Sequence, residues 1–193
     1  NPDDVVAQIG EDYMSELEMF LGPFESHLPW STDGIIGSRR FIEKVWRLAE
    51  KVVAQRKASD VYLKTLHKTI KKVTEDIQNF SFNTAISAMM ICINEMEKSE
   101  TIATEDFKKF LQILAPFAPH ITEELWNVLG ESKTIHTSEW PAYNPKLVVD
   151  DSVKMGIQVN GKVRAEIKLP LDVTEADVKN MVLQIPEIQK WVD

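Results

Sequence analysis

A mainly α-helical fold, an antiparallel helical bundle followed by a small α+β module, is what this sequence predicts, and three observations carry it. From about residue 36 to residue 129, apolar side chains recur at helical spacing in successive segments separated by only a few residues, the pattern of an antiparallel bundle. At Val153 the period changes from 3.6 to 2, and the dipeptide Asn160-Gly161 separates two alternating runs, a strong hairpin signal. The chain has 193 residues, 44% apolar and 27% charged, which suffices for one full core and a small appendage.

The elements follow in order. Asn1-Pro2-Asp3-Asp4 is a helix start, with an Asn cap, Pro in the first turn and acids at the positive end of the dipole; Gly10 ends or kinks that piece. Tyr13, Leu17, Phe20 and Leu21 make a second apolar face that stops at Gly22-Pro23, and residues up to 32 form a helical connector with an ordered loop pinned by Trp30. A bundle is expected over 33–130. Its first helix runs to Gln55 with Phe41, Val45, Leu48 and Val52 on one seam, and Trp46 near the core. After Ser59 as a cap, Leu63, Leu66, Ile70, Val73, Ile77 and Phe80 form the seam of a long second helix. Phe82, Ile86, Met89, Ile93 and Met96 mark a third. Thr104 caps a fourth through Phe107, Phe110, Leu111 and Leu114, and Pro119 opens a fifth through Ile121, Leu125, Val128 and Leu129, ended by Gly130. Residues 131–151 lose the helical period and read as a linker packed on the bundle. The module at 152–193 has one apolar hairpin face, from Val153 to Val159 and from Val163 to Leu169, then a helix opened by Thr174 and Asp177. Two strands make a small core, so further strands are expected from sequence beyond this stretch.

Composition excludes several classes. Seven Gly and nine Pro are too few for a low-complexity chain, and no apolar run reaches the 18 residues of a membrane span. The single cysteine, Cys92, cannot close an intrachain disulfide, and the four histidines are scattered rather than spaced as metal ligands. These features suit a reducing cytoplasm. With no initiator Met, no leader and an end inside an amphipathic pattern at Trp191-Val192-Asp193, the chain reads as a fragment.

The net charge of -8 argues against nucleic acid until it is resolved along the chain. From Arg39 to Lys72 eleven basic residues meet three acidic ones, a local balance of +8 that leaves -16 for the remainder. A basic stretch inside an acidic protein suits a directed contact with phosphate. Arg40, Lys44, Arg47 and Lys51 repeat one position before the apolar seam, so they form a stripe about 100° around the helix from it. Lys64, Lys68 and Lys71 make a second line, accompanied by Arg39 and Lys72. Few acids interrupt these bases, so the i,i+4 pairing of a merely solvated helix is mostly absent. His67 lies at the seam edge as either a satisfied core histidine or a phosphate contact. RNA binding and docking of a protein on the stripe both remain open, with RNA favoured. No catalytic constellation is present: Glu123-Glu124 beside His120 reads as helix capping, Cys92 as a small core hydrophobe, and Trp46 and Trp126 as core.

The segment Leu114-Ala-Pro-Phe-Ala-Pro-His-Ile-Thr-Glu-Glu-Leu-Trp126 resembles the signature of the anticodon-binding bundle in class I aminoacyl-tRNA synthetases for leucine, valine and isoleucine. Met19-Phe-Leu-Gly-Pro-Phe-Glu25, Pro29-Trp30-Ser31, Arg40-Phe-Ile-Glu-Lys-Val-Trp-Arg-Leu48 and Ile157-Gln-Val-Asn-Gly-Lys-Val-Arg-Ala-Glu-Ile167 resemble the leucyl members of bacterial type. A valyl coiled coil or an isoleucyl cysteine-rich zinc module does not appear. One departure is Glu11-Asp-Tyr-Met-Ser-Glu16, where the family carries something like Ala-Asp-Thr-Leu-Arg-Leu.

The resemblance implies a parent enzyme that uses ATP, with magnesium, to join leucine to its tRNA. It implies that this portion is non-catalytic, needs no cofactor or metal of its own, and acts as a monomer that positions tRNA through the phosphate backbone. Lys162 and Arg164, on the polar face of the hairpin, are the candidate contacts of the second module. Alternatives are a helical protein-interaction scaffold, or the equivalent domain of a valyl or isoleucyl enzyme.

Overall fold

The computed structural model describes residues 10–20, 22, 32–54, 62–149, 152–170 and 173–191. The expected helix at Asn1, the loop around Trp30, the end of the first bundle helix at Gln55 and the cap at Ser59 lie outside these residues. Two units divide the chain, Asn1–Val148 and Val149–Asp193, and the fold class is the expected one, a helical bundle and a small α+β module.

In the first unit α1 spans Glu11–Phe20, α2 Thr32–Leu48, α3 Tyr62–Gln78, α4 Phe82–Glu97, α5 Thr104–Leu114, α6 Pro119–Val128 and α7 Pro145–Val148. The seams predicted from spacing are the core. Leu66, Ile70 and Val73 of α3 and Ile86, Met89, Ile93 and Met96 of α4 are fully buried, and α3 packs on α4 along its length. The short connection over 79–81 turns the chain back on itself, so the two helices run antiparallel. Phe107, Phe110, Leu111 and Leu114 of α5 and Leu125 and Trp126 of α6 complete the same cluster.

Four expectations fail, each for a physical reason. The first bundle helix ends at Leu48; Ala49–Lys51 tighten into a 3₁₀ turn, and β1 (Val52–Val53) pairs in parallel with β2 (Ile102–Ala103). Two β-branched residues favour extended backbone, and the partner strand lies fifty residues away, where local periodicity carries no signal. Thr104 opens α5 without capping it, because its hydroxyl donates to Val53 O at 3.1 Å. Val128 is exposed because it lies on the flank of α6 turned away from the buried Thr122, Leu125 and Trp126 face. Phe80 is also exposed: it lies past the end of α3 with φ 55°, between the bonds from its own N–H to Ile77 O and from Ser81 N–H to Asp76 O. That is a Schellman ending, which places the residue after the helix in the left-handed region and swings it off the seam.

Tyr62 ties these parts together. Its buried hydroxyl accepts from Ala103 N–H and donates to Asp106 Oδ2, both at 3.1 Å. Residues 131–148 lie along the bundle: Ile135 is buried in the main cluster, Gln112 Nε2 donates to Ser138 Oγ and Glu139 O, and Trp140 Nε1 donates to Thr74 Oγ1 at 2.8 Å.

In the second unit β3 (Ser152–Val159) and β4 (Lys162–Pro170) pair antiparallel, and α8 (Glu175–Leu183) and α9 (Pro186–Gln189) follow. Asn160 and Gly161 both have positive φ, 54° and 75°, as a two-residue turn matched to strand twist requires. Ile157 pairs with Ala165 but Gln158 pairs with Val163, so Arg164 is the extra residue of a bulge. The bulge breaks the expected continuous apolar face, leaving Val163 60% exposed while Leu169 and Ile188 are buried. Thr174 caps α8 as expected, its Oγ1 accepting from Asp177 N–H and donating to Asp177 Oδ2.

Candidate nucleic-acid interface

Helix α2 and the 3₁₀ turn that follows it present the basic stripe, and the structure divides it in two. Lys44 Nζ reaches α4, donating to Asn94 Oδ1 at 2.8 Å and pairing with Glu97 Oε2 at 3.0 Å. Lys51 Nζ donates to Glu97 O at 2.7 Å and Ser99 O at 3.1 Å, satisfying carbonyls that the C-terminal end of α4 leaves without helical partners. The Lys44 hydrogen bond, with Arg47 and Lys51 nearby, holds the Glu97 carboxyl below its ordinary range. These two lysines join helices. Arg40 and Arg47 are exposed and, among the described residues, make no hydrogen bond or ion pair. They stand seven residues apart on one line, about 10 Å along the axis. Arg39 pairs with Glu43 at 2.7 Å.

The second line is more heavily engaged than the spacing suggested. Lys71 pairs with Glu75 at 3.8 Å and Lys72 with Asp76 at 2.8 Å, both across one helical turn. Their acids lie just past Lys72, beyond the stretch whose charge balance looked so basic, which is why the expected lack of i,i+4 pairing fails. Lys64 and Lys68 are half-buried and engaged. His67 is buried, and its Nδ1 accepts from Asn144 N–H at 3.1 Å. It is a core histidine that fastens the 131–148 segment, not a phosphate contact.

In the second unit Lys162 is exposed at the hairpin tip. Arg164 does not extend from a polar face as expected. The bulge lays its guanidinium 3.9 Å from the centre of the Trp191 ring, with Nε buried and unpartnered.

The remaining groups have structural work. Cys92 is fully buried, and burial pushes its thiol up to about 12, which makes it unreactive. Glu123 accepts from Thr134 Oγ1 at 2.8 Å and Ile135 N–H at 3.0 Å; the Thr134 bond first, then the backbone bond, lowers its carboxyl below the ordinary range. Trp126 is buried and its Nε1 donates to Lys133 O. Among the described residues no group of three His, Cys, Asp or Glu is placed to hold a metal, and no helix is long and apolar enough to cross a membrane.

Two features lay beyond sequence reasoning. Asp12 of α1 caps α6, accepting from the backbone N–H of His120 at 3.1 Å and of Ile121 at 2.6 Å. No signal could connect residues 108 apart. Trp46, expected in the core, is 47% exposed. It sits beyond the Phe41, Val45 and Leu48 seam on the flank facing α6, where Ile121 covers one side of a hollow that it also lines. The adjacent Arg47 was the available clue.

A family model described as the anticodon-binding domain of tRNA ligase matches residues 60–179. The leucine–tRNA ligase of Porphyromonas gingivalis is 45% identical across 100% of this chain and 21% of its own length. That of Borrelia turicatae is 44% identical across 98% of this chain and 23% of its own. Among solved structures, the ternary complex of Agrobacterium radiobacter LeuRS with tRNA and LeuAMS superposes with a TM-score of 0.75 at 28% identity, covering 98% of this chain and 27% of that one. The chain thus spans about a fifth of the length of the curated relatives it matches.

Proposed function

Since the chain belongs to the anticodon-binding domain family of tRNA ligases, we propose that it is the tRNA-positioning portion of a leucine–tRNA ligase. Its job is to hold leucine tRNA by the phosphate backbone. The exposed guanidinium pair of Arg40 and Arg47, which among the described residues makes no hydrogen bond or ion pair, is the observation that carries this reading, because charges already committed to internal acids and carbonyls contribute little to a polyanion contact. Lys162 offers a third cation in the second unit. ATP and magnesium serve the activation of leucine in the whole enzyme; the described residues do not fit a metal site, and no chemical step is assigned to them. The protein acts in this reading as a monomer in the cytoplasm.

Changing Arg40 and Arg47 together to Gln tests the reading. Thermal stability should stay nearly constant, since exposed charges contribute little to folding. Affinity for a leucine tRNA transcript should fall, and the slope of log affinity against log salt should flatten by about one to two units. An unchanged slope would exclude RNA from this face and leave protein docking or plain solvation.

A further inference from the structure

Beside Arg47 the surface is hollow. Two adjoining cavities of about 380 and 310 Å³ share Ile42, Trp46 and Ile121 as walls; Glu11 and His120 close one, and Arg47 lines the other. Their size lies within the ~300–1,000 Å³ typical of small-molecule sites. The shared wall is the half-exposed indole of Trp46, and no described residue accepts from its N–H. A large aromatic is left open next to an exposed guanidinium that, among the described residues, makes no hydrogen bond or ion pair. It is out of place as mere packing, because Phe41, Val45 and Leu48 already bury the inner face of α2.

The rim acids do not spoil the site for an anionic ligand. Glu11 stands 3.2 Å from His120 Nε2, Asp12 is held by the His120 ring and the backbone N–H groups of His120 and Ile121, and Glu43 is paired with Arg39 at 2.7 Å. A flat apolar platform with an exposed cation beside it matches one nucleotide, the base on the indole and the phosphate on the guanidinium. A regular duplex cannot use such a platform, because its bases are stacked inside; an unpaired base can.

We propose that the Trp46 groove takes a single unstacked nucleobase of the bound tRNA, with Arg47 holding the adjoining phosphate and Ile42 and Ile121 packing against the base edge. The inference rests on the tRNA-positioning reading and adds a second kind of contact to it. The Arg40 and Arg47 pair positions RNA through charge, whereas Trp46 selects RNA that can offer a base outside the helix.

The test is equilibrium binding of the chain, at several salt concentrations starting near 50 mM, to a leucine tRNA transcript and to a blunt-ended RNA duplex without unpaired bases. Trp46→Leu keeps the site apolar but removes the ring, and Trp46→Phe restores an aromatic face. Thermal melting of both variants confirms folding. Trp46→Leu should weaken tRNA binding roughly tenfold, in line with the loss of one base stack. Trp46→Phe should recover most of that, the salt slope should not move, and duplex binding should be unaffected. Unchanged tRNA affinity in Trp46→Leu, or an equal loss for tRNA and duplex, would overturn the stacking site. If the Arg40 and Arg47 variant still flattens the salt slope in that case, the positioning function stands without the groove; if it does not, both readings fall.

Discussion

Asp12 Oδ1 lies 2.8 Å from His120 Nδ1 while the same carboxylate accepts the backbone N–H groups of His120 and Ile121. One side chain on α1 therefore closes the open N-terminal end of α6 and binds the imidazole beside it. The residue preceding α6, Ala118, has no side chain able to do this, so the cap is imported from another helix. Capping of this kind contributes about 1 kcal/mol, and a carboxylate gains further from the helix dipole.

The imidazole makes this joint pH-dependent. The hydrogen bond to Asp12 and its charge, with Glu11 adding, raise the His120 pKa above the ordinary value of 6.5. Folding thus favours the protonated ring. Its stabilisation is complete below about 6.5 and fades as pH rises through the elevated folded value. Thermal melts should place the parent above His120→Gln at pH 6, with the gap closing by pH 9. A gap that widens with pH would contradict the pairing. Asp12→Ala, which also removes the cap, should lower the melting temperature at both pH values.

The divided basic stripe makes a separate prediction. Lys51 holds two carbonyls at the end of α4, so Lys51→Met should cost about 1 kcal/mol, less than the ~1.5–3 of a buried charge-assisted bond because solvent reaches it. The salt slope of tRNA binding should not change. Urea denaturation and salt-dependent binding read the two effects separately, and a flattened slope without loss of stability would place Lys51 on the RNA instead.

Phe80 occupies a backbone position that disfavours it. A non-glycine residue in the left-handed region costs roughly 1–2 kcal/mol, and the ring, which makes an edge contact with Phe82 at 5.8 Å, still leaves 62% of the residue exposed. Phe80→Gly should therefore hold or raise the denaturation midpoint, although replacing a phenylalanine in a helical core typically costs ~3–5 kcal/mol. A loss of that size would show that the ring is an essential part of the packing.

Particular residues mark the limit of what sequence could disclose about the site. Arg40 and Arg47 were visible in it as members of a stripe, but nothing local separated them from Lys44 and Lys51, which the stripe counted alongside them. The separation depends on which cations α4 and the residues just past it meet with a bonding partner: Asn94 and the Glu97 carboxylate for Lys44, and the Glu97 and Ser99 carbonyls for Lys51. His67 was ambiguous for the same reason: its partner, Asn144 N–H, comes from a segment 77 residues away. Arg164 was misplaced because a bulge changes which face a strand residue occupies, and bulges are set by the pairing of two strands.

The sequence by itself determined the helices that carry the buried seams of Leu66, Ile70, Val73, Leu114 and Leu125, and the Asn160-Gly161 hairpin, because periodicity of 3.6 or 2 and the backbone preferences of turn residues act within a few positions of the chain. Only the tertiary structure decided the pairing of Val52–Val53 with Ile102–Ala103, the cap that Asp12 places on α6, the exposure of Trp46 and which cations are committed to internal partners. Each of these turns on a partner brought in by packing, and a hydrogen bond or ion pair acts over a few ångströms in space whatever the separation along the chain.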